Sequence, residues 1–167
     1  MNMRRICIIG TGNIGLSLAK GLVKSTLFAA SQITLTRRNI AALSAEQALG
    51  FQVSNVNAEA VAQADIVVLA VLPQQLRKVM EEIQAVLGAE VEVVRAMPNT
   101  AIAIGQSMTC VATDNATEAT LQEVEKLFES VGAVVVIKEE LMTSATALCA
   151  CGIAFFLRSI RAASQGG

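Results

Sequence analysis

Arg4-Arg5-Ile6-Cys7-Ile8-Ile9-Gly10-Thr11-Gly12-Asn13-Ile14-Gly15 decides how the rest of the chain is read. Ile6, Cys7, Ile8 and Ile9 are apolar in succession, the pattern of a strand buried on both faces. Gly10, Gly12 and Gly15 follow in G-x-G-x-x-G spacing. Ile14, Leu18 and Leu22 then recur at helical intervals on one face. Strand, glycine loop and helix in that order suit a dinucleotide. Gly10 permits a tight turn, Gly12 lets the backbone approach a pyrophosphate, and Gly15 lets the helix pack closely on the strand. The helix N-terminus, with Asn13 and Ile14, faces the phosphates. The spacing by itself is a weak signal, and a glycine-rich turn that serves packing alone is the competing reading. The flanking strand and helix favour the dinucleotide.

Residues 33–36 (Ile-Thr-Leu-Thr) predict a second strand, and its end bears on cofactor choice. NAD-preferring folds place Asp or Glu there to bind the ribose 2′-hydroxyl. This chain places Thr36, Arg37, Arg38 and Asn39, with no carboxylate. An arginine pairs with a 2′-phosphate, so NADP is expected over NAD. The alternative for Arg37 and Arg38 is a pair of solvated loop charges, although the absent acid counts against NAD in either case.

Further along, residues 40–48 read as a helix stopped by Gly50, and residues 51–53 as a short strand. Asn57 is placed to cap a short helix through Val61. Residues 66–71, opened by Asp65, carry the strongest buried-strand signal of the chain. Pro73 suits the first turn of a helix whose apolar face is Leu76, Val79, Met80, Ile83 and Leu87, with Gly88 as its stop. Residues 91–95, 108–112 and 133–137 predict later strands. A helix built on Leu121, Val124, Leu127, Phe128 and Val131 lies before the last of them, capped by Asn115 or Thr117 and ended by Gly132. This alternation predicts an α/β fold, a doubly wound, Rossmann-like, mainly parallel sheet over residues 1–140. Residues 141–157 carry no charge, close to the shortest membrane span. Thr143, Ser144 and Thr146 within it, and Arg158 and Arg161 just after, favour a buried or interface helix over a membrane helix.

Composition narrows the function classes. The chain has 167 residues, 53% of them hydrophobic and 3% aromatic, with a net charge of -1. That charge excludes an electrostatic footprint for nucleic acid or an anionic membrane, and so few aromatics make a poor base-stacking platform. Arg4 and Arg5 ahead of an apolar run suggest a signal peptide, but glycines interrupt the run and no A-x-A site follows. The expected compartment is the cytoplasm. Cys7 and Cys110 read as small buried hydrophobes. Cys149 and Cys151, two apart on a helix, point in different directions. No zinc spacing occurs and there is no histidine, so no metal site is expected and His-based triads are excluded.

Several motifs stand together in order: Gly10-Thr11-Gly12-Asn13-Ile14-Gly15, Asn57 ahead of Asp65, Leu69-Ala70-Val71-Leu72-Pro73-Gln74, Arg95-Ala96-Met97-Pro98-Asn99-Thr100, and Thr146-Ala147-Leu148-Cys149-Ala150-Cys151-Gly152. The set resembles pyrroline-5-carboxylate reductase over nearly the whole chain. The resemblance implies NADPH-dependent reduction of a cyclic imino acid to proline. It places the glycine loop at the pyrophosphate, Arg37 and Arg38 at the 2′-phosphate, and Asn57 at the adenosine ribose. It places Ala70, Val71 and Pro73 along the path to the nicotinamide, and Met97, Pro98 and Asn99 beside the nicotinamide and the substrate. Ala70 and Val71 as plain core, Met97 as a gap-filler and Asn99 as a turn former are the alternatives. No residue stands out as the proton donor.

The resemblance also implies that residues 141–167 begin an all-α dimerisation domain, so a homodimer or higher homo-oligomer is expected. Three departures stand out. Leu72 replaces a family lysine, and Cys149 and Cys151 replace family serines. A strand and helix that the family carries are absent between Leu87 and Gly88. In the family the substrate pocket is completed by a helical domain that continues past the position of Gly167; its absence here, with the absent strand and helix, implies a chain that binds NADP without turning over by itself. A non-catalytic NADP-binding module or truncated paralogue, and a different NADP-dependent reductase with this N-terminal fold, are the competing readings.

Overall fold

In the computed structural model, which describes residues 4–88 and 90–166, the apolar run Ile6–Ile9 forms strand β1 with all four residues buried. The chain packs as two units, one up to Val91 and one from Glu92 onward. In the first, the glycine loop leads into helix α1 (Asn13–Lys24), which buries Gly15, Leu18, Ala19 and Leu22. Strand β2 (Ile33–Thr36) follows, then a 3₁₀ turn and helix α2 (Ser44–Ala48), strand β3 (Gln52–Ser54), helix α3 (Asn57–Val61), strand β4 (Ile66–Leu69) and helix α4 (Pro73–Ile83).

The four strands make one parallel sheet in the order β3-β2-β1-β4, the arrangement expected of a mononucleotide-binding half. Its core holds Cys7 and Ile9 of β1 against Ala60, Val61, Val79 and Ile83 of α3 and α4. Burial pushes the Cys7 thiol up to about 12, so Cys7 is a neutral core residue at physiological pH. The backbone N–H of Arg5 donates to Asp65 Oδ2 at 2.8 Å, which anchors the start of β4 beside β1. Lys20 of α1 pairs with Glu46 of α2 at 3.1 Å.

Two readings of this unit need correction. β4 is half-buried rather than buried, because it is an edge strand of the four-stranded ladder. α4 ends at Ile83, ahead of Gly88, and the chain turns through Leu87 on bonds from the Val86 and Leu87 amides to Ile83 O. Leu76 and Met80 of its expected apolar face stay exposed, while Val79 and Ile83 are buried. Among the described residues no strand lies between β4 and Arg95.

The second unit holds a three-stranded sheet in the order β5-β6-β7: β5 (Arg95–Met97) antiparallel to β6 (Ser107–Ala112), and β6 parallel to β7 (Gly132–Val136). Helix α5 (Glu118–Glu129) connects β6 to β7, and Thr117 caps it by accepting the Thr120 amide at 3.3 Å. The strand expected over residues 91–95 is displaced to Arg95–Met97. The reason lies in residues distant in sequence: Val93 O accepts from Thr113 Oγ1 at 2.6 Å and the Val93 amide donates to Asn115 Oδ1 at 3.0 Å, so side chains take the place of a ladder.

Beyond an ion pair between Arg95 and Glu139, the C-terminal stretch is helical: α6 (Met142–Ala145), a π-helical segment (Thr146–Cys151) and α7 (Gly152–Gly166). Met142, Ala145 and Cys149 face Cys110 and Ala112 of β6. α7 buries nothing within the chain, contrary to a buried helix. By length and composition, Glu139–Gly166 would suffice to cross a membrane.

Candidate functional site

The glycine loop is held by contacts that only hydrogen could occupy. Gly10 has φ +96°, and a Cβ there would stand 2.4 Å from Ala70 O and 2.9 Å from Val71 Cγ1. A Cβ on Gly15 would lie 2.1 Å from Gly10 O and 3.3 Å from Ala70 Cβ. The turn is thus locked against the end of β4, where the Ala70 amide donates to Ile9 O at 2.8 Å. Gly12 differs: it is exposed, and a Cβ there would meet nothing within 4 Å. It is the N-cap of α1, with no side-chain cap. The first amides of α1, on Asn13, Ile14 and Gly15, therefore have no acceptor inside the helix, and the open space over Gly12 lets an anion reach them. This cradle fits a pyrophosphate.

A row of hydrogen bonds runs from the loop across the sheet edge. Buried Thr11 donates through Oγ1 to Thr36 O at 3.4 Å. Thr36 Oγ1 donates to Asn57 Oδ1 at 2.7 Å, and Asn57 Nδ2 donates to Glu82 Oε2 at 2.7 Å. Asn57 therefore does not cap α3, whose N-cap is Val56; its amide is turned toward the end of β2 instead. The Arg37 amide donates to Ser54 O at 3.1 Å, fixing the path of the chain as it leaves β2. The side chains of Arg37 and Arg38 are exposed and make no ion pair among the described residues. A carboxylate does reach this region, from α4 rather than from the end of β2: Glu82 lies on the Asn57 amide. Spacing could not reveal it, since Glu82 is one of several charges on the polar face of α4.

The first unit thus brings together Gly10, Gly12, Asn13, Ile14, Gly15, Thr36, Asn57, Ala70 and Val71, with Arg37 and Arg38 leading away from β2. Pro73 opens α4 as its first residue and is exposed. Met97 and Asn99 belong to the second unit. Met97 is half-buried against Cys110, Ala112 and Met142. Asn99 is buried; its Oδ1 accepts the Ala101 amide at 3.1 Å and caps the turn Thr100–Ile104, while its own amide donates to Ser107 Oγ at 3.2 Å.

The family described as NADP oxidoreductase coenzyme F420-dependent matches residues 5–99, the stretch that contains this loop and both strand ends. Pyrroline-5-carboxylate reductase 2 of Dictyostelium discoideum is 37% identical over 204 residues, which take in 99% of this chain and 68% of the relative. The chain belongs to the pyrroline-5-carboxylate reductase family. Pyrroline-5-carboxylate reductase 1 of the same organism is 39% identical over 196 residues, 97% of this chain, but the chain spans only 36% of that relative's length. Both alignments are longer than the 167-residue chain, so these reductases hold residues within the aligned stretch that this chain lacks. Among solved structures, a pyrroline-5-carboxylate reductase from Coxiella burnetii has a TM-score of 0.86 at 25% identity, covering 96% of this chain and 69% of its own. The Plasmodium falciparum pyrroline carboxylate reductase, solved with NADP bound, has the same fold at a TM-score of 0.82 and 24% identity, covering 100% of this chain and 71% of its own.

Proposed function

We propose that this protein reduces 1-pyrroline-5-carboxylate to L-proline with NADPH. The observation that carries the proposal is the open anion cradle at Gly12, set beside two arginines that make no ion pair among the described residues and follow a β2 end with no acid of its own, in a chain of this reductase family. When bound, the reduced nicotinamide supplies a hydride to the carbon of a C=N bond. The chain's own residues bind and orient. The amides of Asn13, Ile14 and Gly15 take the pyrophosphate, Arg37 and Arg38 take the 2′-phosphate, and Asn57, held by Thr36 and Glu82, meets the ribose. Ala70, Val71 and Pro73 lead toward the nicotinamide. No proton donor is assigned among the described residues. Residues 1–140 form the dinucleotide-binding domain and residues 141–167 the start of a helical dimerisation domain, so the working form is a cytoplasmic homo-oligomer.

The second reading, an NADP-binding module without turnover, draws on the short connection between β4 and β5. NADPH oxidation with pyrroline-5-carboxylate, followed together with proline formation, separates the two. It is measured on this chain and on the product of its whole reading frame. Proline formed by either supports the reductase. NADPH bound by both with no proline formed overturns it and leaves the binding module.

A further inference from the structure

The second unit brings two thiols from distant parts of the chain to one apolar cluster. Cys110 points from β6 into a buried cluster with Ala112 and Met142, and Cys149 packs on that cluster from the π-helical segment. Met142, Ala145 and Cys149 share the inner face of the helical stretch, which is what carries Cys149 onto β6. Burial first, and then the neighbouring Cys149, hold the Cys110 thiol above its ordinary range. Their exposures differ in a useful way: Cys110 is 2% exposed, while Cys149 is half-buried and open to a small reagent. Cys151 is exposed and takes no part in the cluster.

We propose that Cys110 and Cys149 are a redox pair that closes to an intramolecular disulfide by exchange with a low-molecular-weight disulfide such as oxidised glutathione. Cys149 begins, because it is accessible. Its thiolate attacks one sulfur of the glutathione disulfide, forming a mixed disulfide and releasing one glutathione thiolate, which takes up a proton from water. Cys110 resolves. It yields its proton to solvent, and its thiolate attacks Cys149 Sγ, displacing the second glutathione. The two protein thiols lose two electrons and two protons, and one oxidised glutathione becomes two reduced ones. Cys149 and Cys151 cannot close in the same way, because side chains two apart on a helix diverge. Closure ties the π-helical segment to β6 at the residue paired across the ladder with Met97. The proposal stands whether or not the chain turns over an imine.

The test begins with the reduced, folded chain in excess oxidised glutathione, with acid quenching, thiol blocking and peptide mapping without reductant. The expected product is a monomer lighter by two hydrogens that yields a Cys110–Cys149 cross-linked peptide. Cys151→Ser keeps that product, whereas Cys110→Ser and Cys149→Ser each lose it. In Cys149→Ser, modification of Cys110 slows at least tenfold. Any of four results overturns the proposal: a Cys149–Cys151 bond, a disulfide between two chains, a lasting glutathione adduct on Cys149 with Cys110 still reduced, or no oxidation. The wild-type map decides the matter even if a serine variant fails to fold.

Discussion

Asn57 shows how far single residues could be read. Its place ahead of Asp65 marks it in the sequence, but its spacing suggests a helix cap. The folded chain instead turns its amide to Thr36 and Glu82. Glu82 comes from another helix, and no local pattern in a sequence records such a meeting. Arg37 and Arg38 could be singled out because they directly follow β2, a position that sequence order alone fixes. Among the described residues, their side chains make no ion pair that would hold them elsewhere. Changing both to Ala should remove one or two charge-assisted hydrogen bonds to a 2′-phosphate, about 1.5–3 kcal/mol. Calorimetric titration should then show NADPH binding weakened by roughly ten- to a hundredfold while NADH binding changes little. Equal losses for both dinucleotides would show that the arginines do not read the 2′-phosphate.

Among the elements, the strand, loop and helix from β1 to α1 were the most legible, because every signal in them is local. β5 was the least. Its start depends on Thr113 and Asn115 taking over the hydrogen bonds of Val93, and neither residue adjoins it in sequence. The loop also lends itself to a paired experiment. Gly15→Ala drives a methyl group into Gly10 O, so it should destabilise the chain by about 1–3 kcal/mol in urea unfolding. Gly12→Ala meets only open space and should cost less than about 1 kcal/mol, the scale of an altered helix cap. That alanine nevertheless fills the cradle and should weaken NADPH binding at least tenfold. If Gly12→Ala binds NADPH as the wild type does, the turn serves packing alone.

For the whole molecule, alternation of strands and helices was enough to predict the parallel sheet of the first unit, but not its end at β4. The C-terminal helix was legible in extent and not in surroundings. Phe155 and Phe156 are 71% and 67% exposed, with Leu157 and Ile160 beside them. A surface this apolar is unfavourable in water, so sedimentation without detergent should find a dimer or larger species. A monodisperse monomer would refute this. The π-helical segment gives that outer surface its direction. A π turn holds one residue more than an α turn, which rotates everything after it by about 100° relative to an uninterrupted helix. Met142 and Ala145, ahead of the extra residue, take their azimuth from β6; Phe155, Phe156 and Ile160, after it, take theirs from the insertion. Deleting one residue within Thr146–Cys151 would leave the inner packing of α6 in phase and swing the aromatic face of α7 a quarter-turn around its own axis.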